Sequence, residues 1–211
     1  GKVAMKNKKG IIVTMIAISV IIIGVLAYMY IKPYFILKKF QNKIFSIQNQ
    51  ESNYKVNINF EIDNQSYTIV ESHRDNISTL YNFGQTKLYN DGEKAYYLDL
   101  INKSKVEVED YRKLRIEKLN NFLVVTNKNE NTILNLIKEV PILKVTKEEF
   151  NSKMCYKIYL GDEKIYQYMF VDVDNFEPVA GIQNDSNGKT TTYLFEISYN
   201  TVTDEDVKLD F

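Results

Sequence analysis

The sequence predicts an α+β fold: an N-terminal transmembrane helix followed by an extensive antiparallel β-sheet with helices packed on it. Residues 11–31 form an apolar run without a single charge. Segments 54–62, 153–160 and 191–199 alternate apolar and polar residues, the period of a half-buried strand. Between these strand regions, Ile116, Leu119 and Leu123, and then Ile133, Leu136, Ile137 and Val140, recur at helical spacing.

The first element is fixed by length. About 20 residues at a rise of roughly 1.5 Å cross a hydrocarbon core of about 30 Å. In lipid every backbone polar group must be satisfied within its own segment, which makes the run a helix. Tyr28 and Tyr30 lie near one end, where amphipathic rings favour the interface, and Lys32 follows. The run exceeds the roughly 7–15 residues of a signal peptide, and residues 27–29 offer no pair of small residues for cleavage. An uncleaved anchor is therefore expected. Lys2, Lys6, Lys8 and Lys9 precede the run, and Lys32, Lys38, Lys39 and Lys43 follow it, so the charge count is balanced across it. A short basic tail before a first helix usually stays inside. The expected layout is a basic cytoplasmic tail at 1–10, a membrane helix at 11–31 and a domain at 32–211 outside the cell membrane.

The soluble part is read in order. Leu37, Phe40, Ile44 and Ile47 give an amphipathic helix over 34–48, expected to pack on the core. In 54–62, Val56, Ile58, Phe60 and Ile62 share one strand face. Asn64-Gln65 suggests a turn into 67–71, and shorter strands are expected at 77–81, 86–90 and 105–109. Asp91-Gly92 is a strong hairpin signal into 94–100. The second middle helix starts near Asn131 as N-cap and is stopped by Pro141. The chain then returns to strands at 153–160, 164–173, 178–183 and 191–199, with short connections that call for antiparallel pairing.

Composition excludes some classes. Lys+Arg and Asp+Glu both number 27, so net charge gives no reason to expect nucleic acid. A hydrophobic share of 45% suits a globular chain. Heavy use of Asn, Lys and Ile fits the codon bias of an AT-rich, bacterial genome. Four Asn-x-Ser sequons exceed the roughly two expected by chance too little to argue glycosylation.

No catalytic, cofactor or metal site emerges. Gly188-Lys189-Thr190 lacks the glycine spacing and the following helix of a phosphate loop. Asp172, Asp174 and Glu177 read as strand-end carboxylates at a turn, since Phe176 and Glu177 stand where a calcium loop needs a ligand and Gly. Asp204, Glu205 and Asp206 read as a solvated acidic segment. The single histidine, His73, and the single cysteine, Cys155, form no recognisable spacing for zinc or for a nucleophile pair.

What stands out is the loading of the strands with large apolar side chains, among 16 Tyr and 11 Phe. These residues serve a filled core, or equally a sheet curled around an apolar concavity that holds a lipid chain.

Two stretches resemble the lipoprotein-carrier (LolA-like) superfamily. One is the strand, turn and Pro-led strand over 171–179, Val-Asp-Val-Asp-Asn-Phe-Glu-Pro-Val. The other is the terminal 199–207, Tyr-Asn-Thr-Val-Thr-Asp-Glu-Asp-Val. The likeness covers 34–211. It implies an incomplete, curved antiparallel barrel closed by helices, no enzymatic activity, and an apolar cavity for an acyl chain, a lipid or a lipidated protein. Unlike the soluble carriers, this chain keeps a membrane anchor. The expected function is a tethered binding module with its ligand on the apolar strand faces: Val56, Ile58, Phe60, Tyr156, Ile158, Tyr168, Phe170, Tyr193, Phe195 and Ile197. The alternative is a non-catalytic structural or regulatory subunit of a cell-envelope complex, with an envelope protein as partner. A hydrolase ranks behind both.

Overall fold

The computed structural model describes residues 2–82, 84–119, 132–162 and 166–211. Helix α1 runs over Lys2–Gln50. Six strands follow: β1 (Asn53–Ile62), β2 (Gln65–Arg74), β3 (Ile77–Asn82), β4 (Thr86–Asn90), β5 (Ala95–Asp99) and β6 (Ser104–Glu107). Helices α2 (Tyr111–Leu119) and α3 (Ile133–Glu139) lead to β7 (Val145–Phe150), β8 (Lys153–Tyr159), β9 (Tyr168–Asp172), β10 (Pro178–Asn184) and β11 (Thr190–Tyr199).

The eleven strands make one antiparallel, curved and unclosed sheet in the order β6-β5-β4-β3-β2-β1-β11-β10-β9-β8-β7. The first and last strands meet at its centre, with Val56 opposite Ile197 and Ile58 opposite Phe195. The two halves are meanders growing outward from that seam. The α2–α3 segment connects one outer edge, β6, to the other, β7.

Helix α1 departs from the sequence reading, which broke it between 31 and 34. It is continuous through Pro33. Proline removes one intrahelical hydrogen bond and crowds the carbonyl four residues back. Contacts on both sides of it hold the helix: the Tyr30 hydroxyl donates to the Pro141 carbonyl at 2.8 Å, and the Tyr34 hydroxyl to the Val140 carbonyl at 2.7 Å. The most apolar window of α1 has mean hydropathy 2.8 and none of it is buried, so this helix is long and apolar enough to cross a membrane. Beyond it Tyr34, Ile36, Leu37, Phe40, Ile44 and Ile47 are all buried. The same helix is thus unburied along its most apolar window and core along its last part.

Other boundaries shift for local reasons. The β1–β2 turn is centred on Asp63-Asn64 rather than Asn64-Gln65; both residues have positive φ, 51° and 62°, as a type I′ turn demands. The N-cap of α3 is Thr132, whose hydroxyl accepts the Asn135 N–H, whereas the expected cap Asn131 lies outside the described residues. So do Leu123 of the first middle helix and Lys164 at the start of the expected strand 164–173, which is observed from Tyr168. Strand β7 was not anticipated: Lys147, Glu148 and Glu149 hide its alternation, as charge does on edge strands.

Two apolar clusters flank the sheet. The main one joins α1 and α3 to the concave face through residues such as Ile58, Ile158, Met169 and Phe195. A smaller one on the convex face gathers Cys155, Phe170 and Ala180.

Candidate functional site

The concave face is where eight of the ten expected ligand-facing residues meet. Val56, Ile58, Phe60, Ile158 and Phe195 are buried there, with Tyr156, Tyr193 and Ile197 packed at the margin. Phe60 lies 4.6 Å from Tyr193, centroid to centroid. Tyr168 and Phe170 are not among them. They alternate onto the convex face with Lys157, whose ammonium sits 5.0 Å over the Tyr168 ring and 5.5 Å over that of Phe170. Sequence alternation assigned faces within a strand correctly but not which face of β9 matched which face of β1.

The concavity is occupied by the chain itself. Leu37, Phe40, Ile44 and Ile47 of α1 fill it. Among the described residues, a void of about 20 Å³ lies between α1 and the sheet, bordered by Ile44, Ile47, Tyr54, Val56, Glu71 and Ile197. That holds about one water, against roughly 300–1,000 Å³ for a small-molecule site.

Tyr166, overlooked in the sequence, is central to this packing. It is 1% exposed and meets Phe195 and Tyr193 edge-on at 5.8 and 5.2 Å. Its ring lies on the backbone of Gly181, where a Cβ would stand 2.6 Å from a ring carbon. The glycine in β10 was the available signal.

A polar knot lies at one end of the concave face. Glu71 of β2 is buried and receives Nε and a guanidinium N–H of Arg115 from α2. The Tyr54 hydroxyl donates to the same carboxylate oxygen at 3.2 Å. Burial, reinforced by the Glu71 carboxylate, pushes the phenols of Tyr54 and Tyr111 far up, so both stay neutral. His73 stacks on Tyr54 at 5.3 Å and shares a 2.7 Å hydrogen bond with Ser78. The knot ties α2 to the sheet. Tyr54 and Arg115 both donate to one oxygen of the Glu71 carboxylate, so the three groups are tied together as one network.

Cys155 and His73 are far apart: four strands separate β8 from β2. Burial raises the Cys155 thiol, the reverse of an activated nucleophile. Of the 172–177 carboxylates, Asp172 caps its own turn and Glu177 ties it to other elements. The Asp172 carboxylate accepts the Asp174 N–H at 2.8 Å, and Glu177 takes the Tyr199 hydroxyl at 2.6 Å and Lys43 at 3.3 Å. The acidic segment 204–206 is not merely solvated. Asp206 pairs with Lys55 at 2.6 Å and receives the Thr203 N–H, docking the tail on the convex face.

A surface depression of about 470 Å³ also lies on the convex side, lined by Lys144, Thr146, Glu148, Lys157, Tyr159, Asp162 and Tyr168. Lys157 is engaged by Glu148 at 3.1 Å as well as by the rings.

No protein-family model matches this chain, and no curated protein does. Among solved structures, several superpose over most of this chain. An uncharacterised conserved protein from Thermus thermophilus superposes with a TM-score of 0.51 at 8% identity, over 81% of this chain and 91% of that one. MucB in the Pseudomonas aeruginosa MucA/MucB complex gives 0.48 at 10% identity, over 82% of this chain and 60% of that chain's length. A LolA superfamily protein from Nitrosomonas europaea gives 0.32 at 10% identity, over 81% and 96%. At 8% identity the first of these likenesses is one of fold.

Proposed function

We propose that this protein is a non-catalytic module of the bacterial cell envelope, held at the membrane by α1 with its sheet domain outside, that works through a protein partner rather than an enclosed lipid. The single observation behind this reading is the self-filled concavity. The residues that would line an acyl-chain site pack instead against Leu37, Phe40, Ile44 and Ile47. An acyl ligand would have to expel a helix that is continuous with the anchor. Fusion of anchor and core in one helix suits a scaffold or regulator that stays put, and ill suits a carrier that collects cargo.

The test uses the full chain in lipid nanodiscs titrated with a fluorescent fatty acid. Binding no greater than to empty nanodiscs is expected. Saturable binding of one probe per chain, abolished by Ile58→Trp, would overturn the reading and restore the lipid-binding alternative. Photocrosslinkers placed on the convex face in native membranes should give discrete protein adducts; adducts to lipid alone also count against it.

A further inference from the structure

We propose that the turn at residues 141–143 is a second membrane contact, with Ile142 seated in the headgroup layer beside the point where α1 leaves the bilayer. This rests on the reading of α1 as the anchor.

The depth follows from a count and a hydrogen bond. From Ile11 to Tyr30 is about 30 Å of helix, the thickness of the hydrocarbon core, so Tyr30 lies at its boundary. Side chains of a helix lean toward its N-terminus, so the Tyr30 hydroxyl lies no farther from the bilayer than its own Cα. That hydroxyl holds the Pro141 carbonyl at 2.8 Å. The neighbouring bond from Tyr34 to Val140, and the Tyr30–Tyr34 ring contact at 5.6 Å, fix the turn against the helix rather than leaving it hung from one contact.

Ile142 follows immediately. It is 74% exposed although Leu143 beside it is buried, so the turn is anchored while the isoleucine projects. Phe35, about one and a half turns beyond Tyr30 on α1, is 52% exposed. The exposed Lys138 and Lys144 flank the turn in sequence, outnumbering the exposed Glu139 beside it, and Lys32 lies over the Tyr28 ring at 5.9 Å. Large apolar side chains bracketed by lysines, at the level where aromatic rings mark the interface, match an anionic lipid surface. Two contacts would fix the tilt of the domain on the membrane, where a helix alone leaves it free to swing.

The chain has no tryptophan, so each substitution gives a single reporter. Val20→Trp, Ile142→Trp and Met154→Trp are made in the full chain. Met154 is also an exposed apolar residue, 49% exposed, but sits at the opposite end of the strands from the start of β7. Each is reconstituted in phosphatidylcholine–phosphatidylglycerol vesicles brominated either near the headgroup or near the chain ends. Ile142→Trp should emit to the blue of Met154→Trp and be quenched severalfold more by shallow than by deep bromines. Val20→Trp should show the reverse preference, and Met154→Trp no quenching. An unquenched Ile142→Trp beside a quenched Val20→Trp overturns the inference and spares the anchor. Blue-shifted but unquenched emission at 142 means a protein covers it, and overturns it equally. If Val20→Trp is unquenched, the anchor falls and this contact with it.

Discussion

At the scale of single residues, stability hangs on close approaches and on one buried charge pair. Gly181 exists so that the Tyr166 ring can lie on its backbone. Gly181→Ala should cost about 1–3 kcal/mol by overpacking, and the double change with Tyr166→Leu should cost less than the sum of the two, read from chemical denaturation. The Glu71–Arg115 pair is buried on both sides. Arg115→Met strands the carboxylate and should destabilise by about 3–5 kcal/mol, whereas Glu71→Gln with Arg115→Met should recover much of that loss. The lone histidine gives a clean proton test. Burial holds His73 below its ordinary value of 6.5. The unfolded chain therefore takes the proton first; stability is full above about pH 6.5 and falls as pH drops toward the folded-state value. Melting His73→Gln and the unaltered chain between about pH 7 and 5 should show the variant losing less. Little of this was legible beforehand, because partners such as Arg115 and Glu71 are 44 residues apart and only the fold introduces them.

Elements were more legible than their partners. Period-two alternation located β1, β8 and β11, and Asp91-Gly92 placed a real hairpin, because those signals are local. The missed strand β7 lies last in the sheet order among the described residues, and its charges obscure the period. The site was legible as a set of apolar faces, but whether they enclose a ligand or a helix depends on α1, whose two halves looked like separate elements. That fusion makes a prediction. A chain beginning at 32 keeps every buried residue of α1 and should melt cooperatively as a soluble domain. One beginning at 51 loses Tyr34, Leu37, Phe40, Ile44 and Ile47 together. It should bind a hydrophobic dye and lack a cooperative transition, since the concave face would stand open to water.

At the scale of the whole molecule, the sheet order sets where the structure is firm. Strand β1 pairs along its length with β2 and over Tyr54–Asn59 with β11, so its backbone groups are used on both sides and its inner face lies under α1. Among the described residues, strands β6 and β7 each have one paired neighbour and one open edge. Closing the central seam brings together segments more than 130 residues apart, so it forms late and opens only with the whole domain. Amide exchange should therefore be slowest in β1, β2 and β11 and approach the global unfolding free energy there, while β6 and β7 exchange by local opening. The decisive comparison is between purified protein and protein in its native membrane. Central amides should be unchanged between the two, because their protection is intrinsic. Should either edge strand become as slow as β1 in the membrane, a partner has added a strand to that edge, and the proposed protein-binding role acquires an address. Edges already as slow as the centre in the purified chain would mean that the barrel is closed, and the open-sheet description would be wrong.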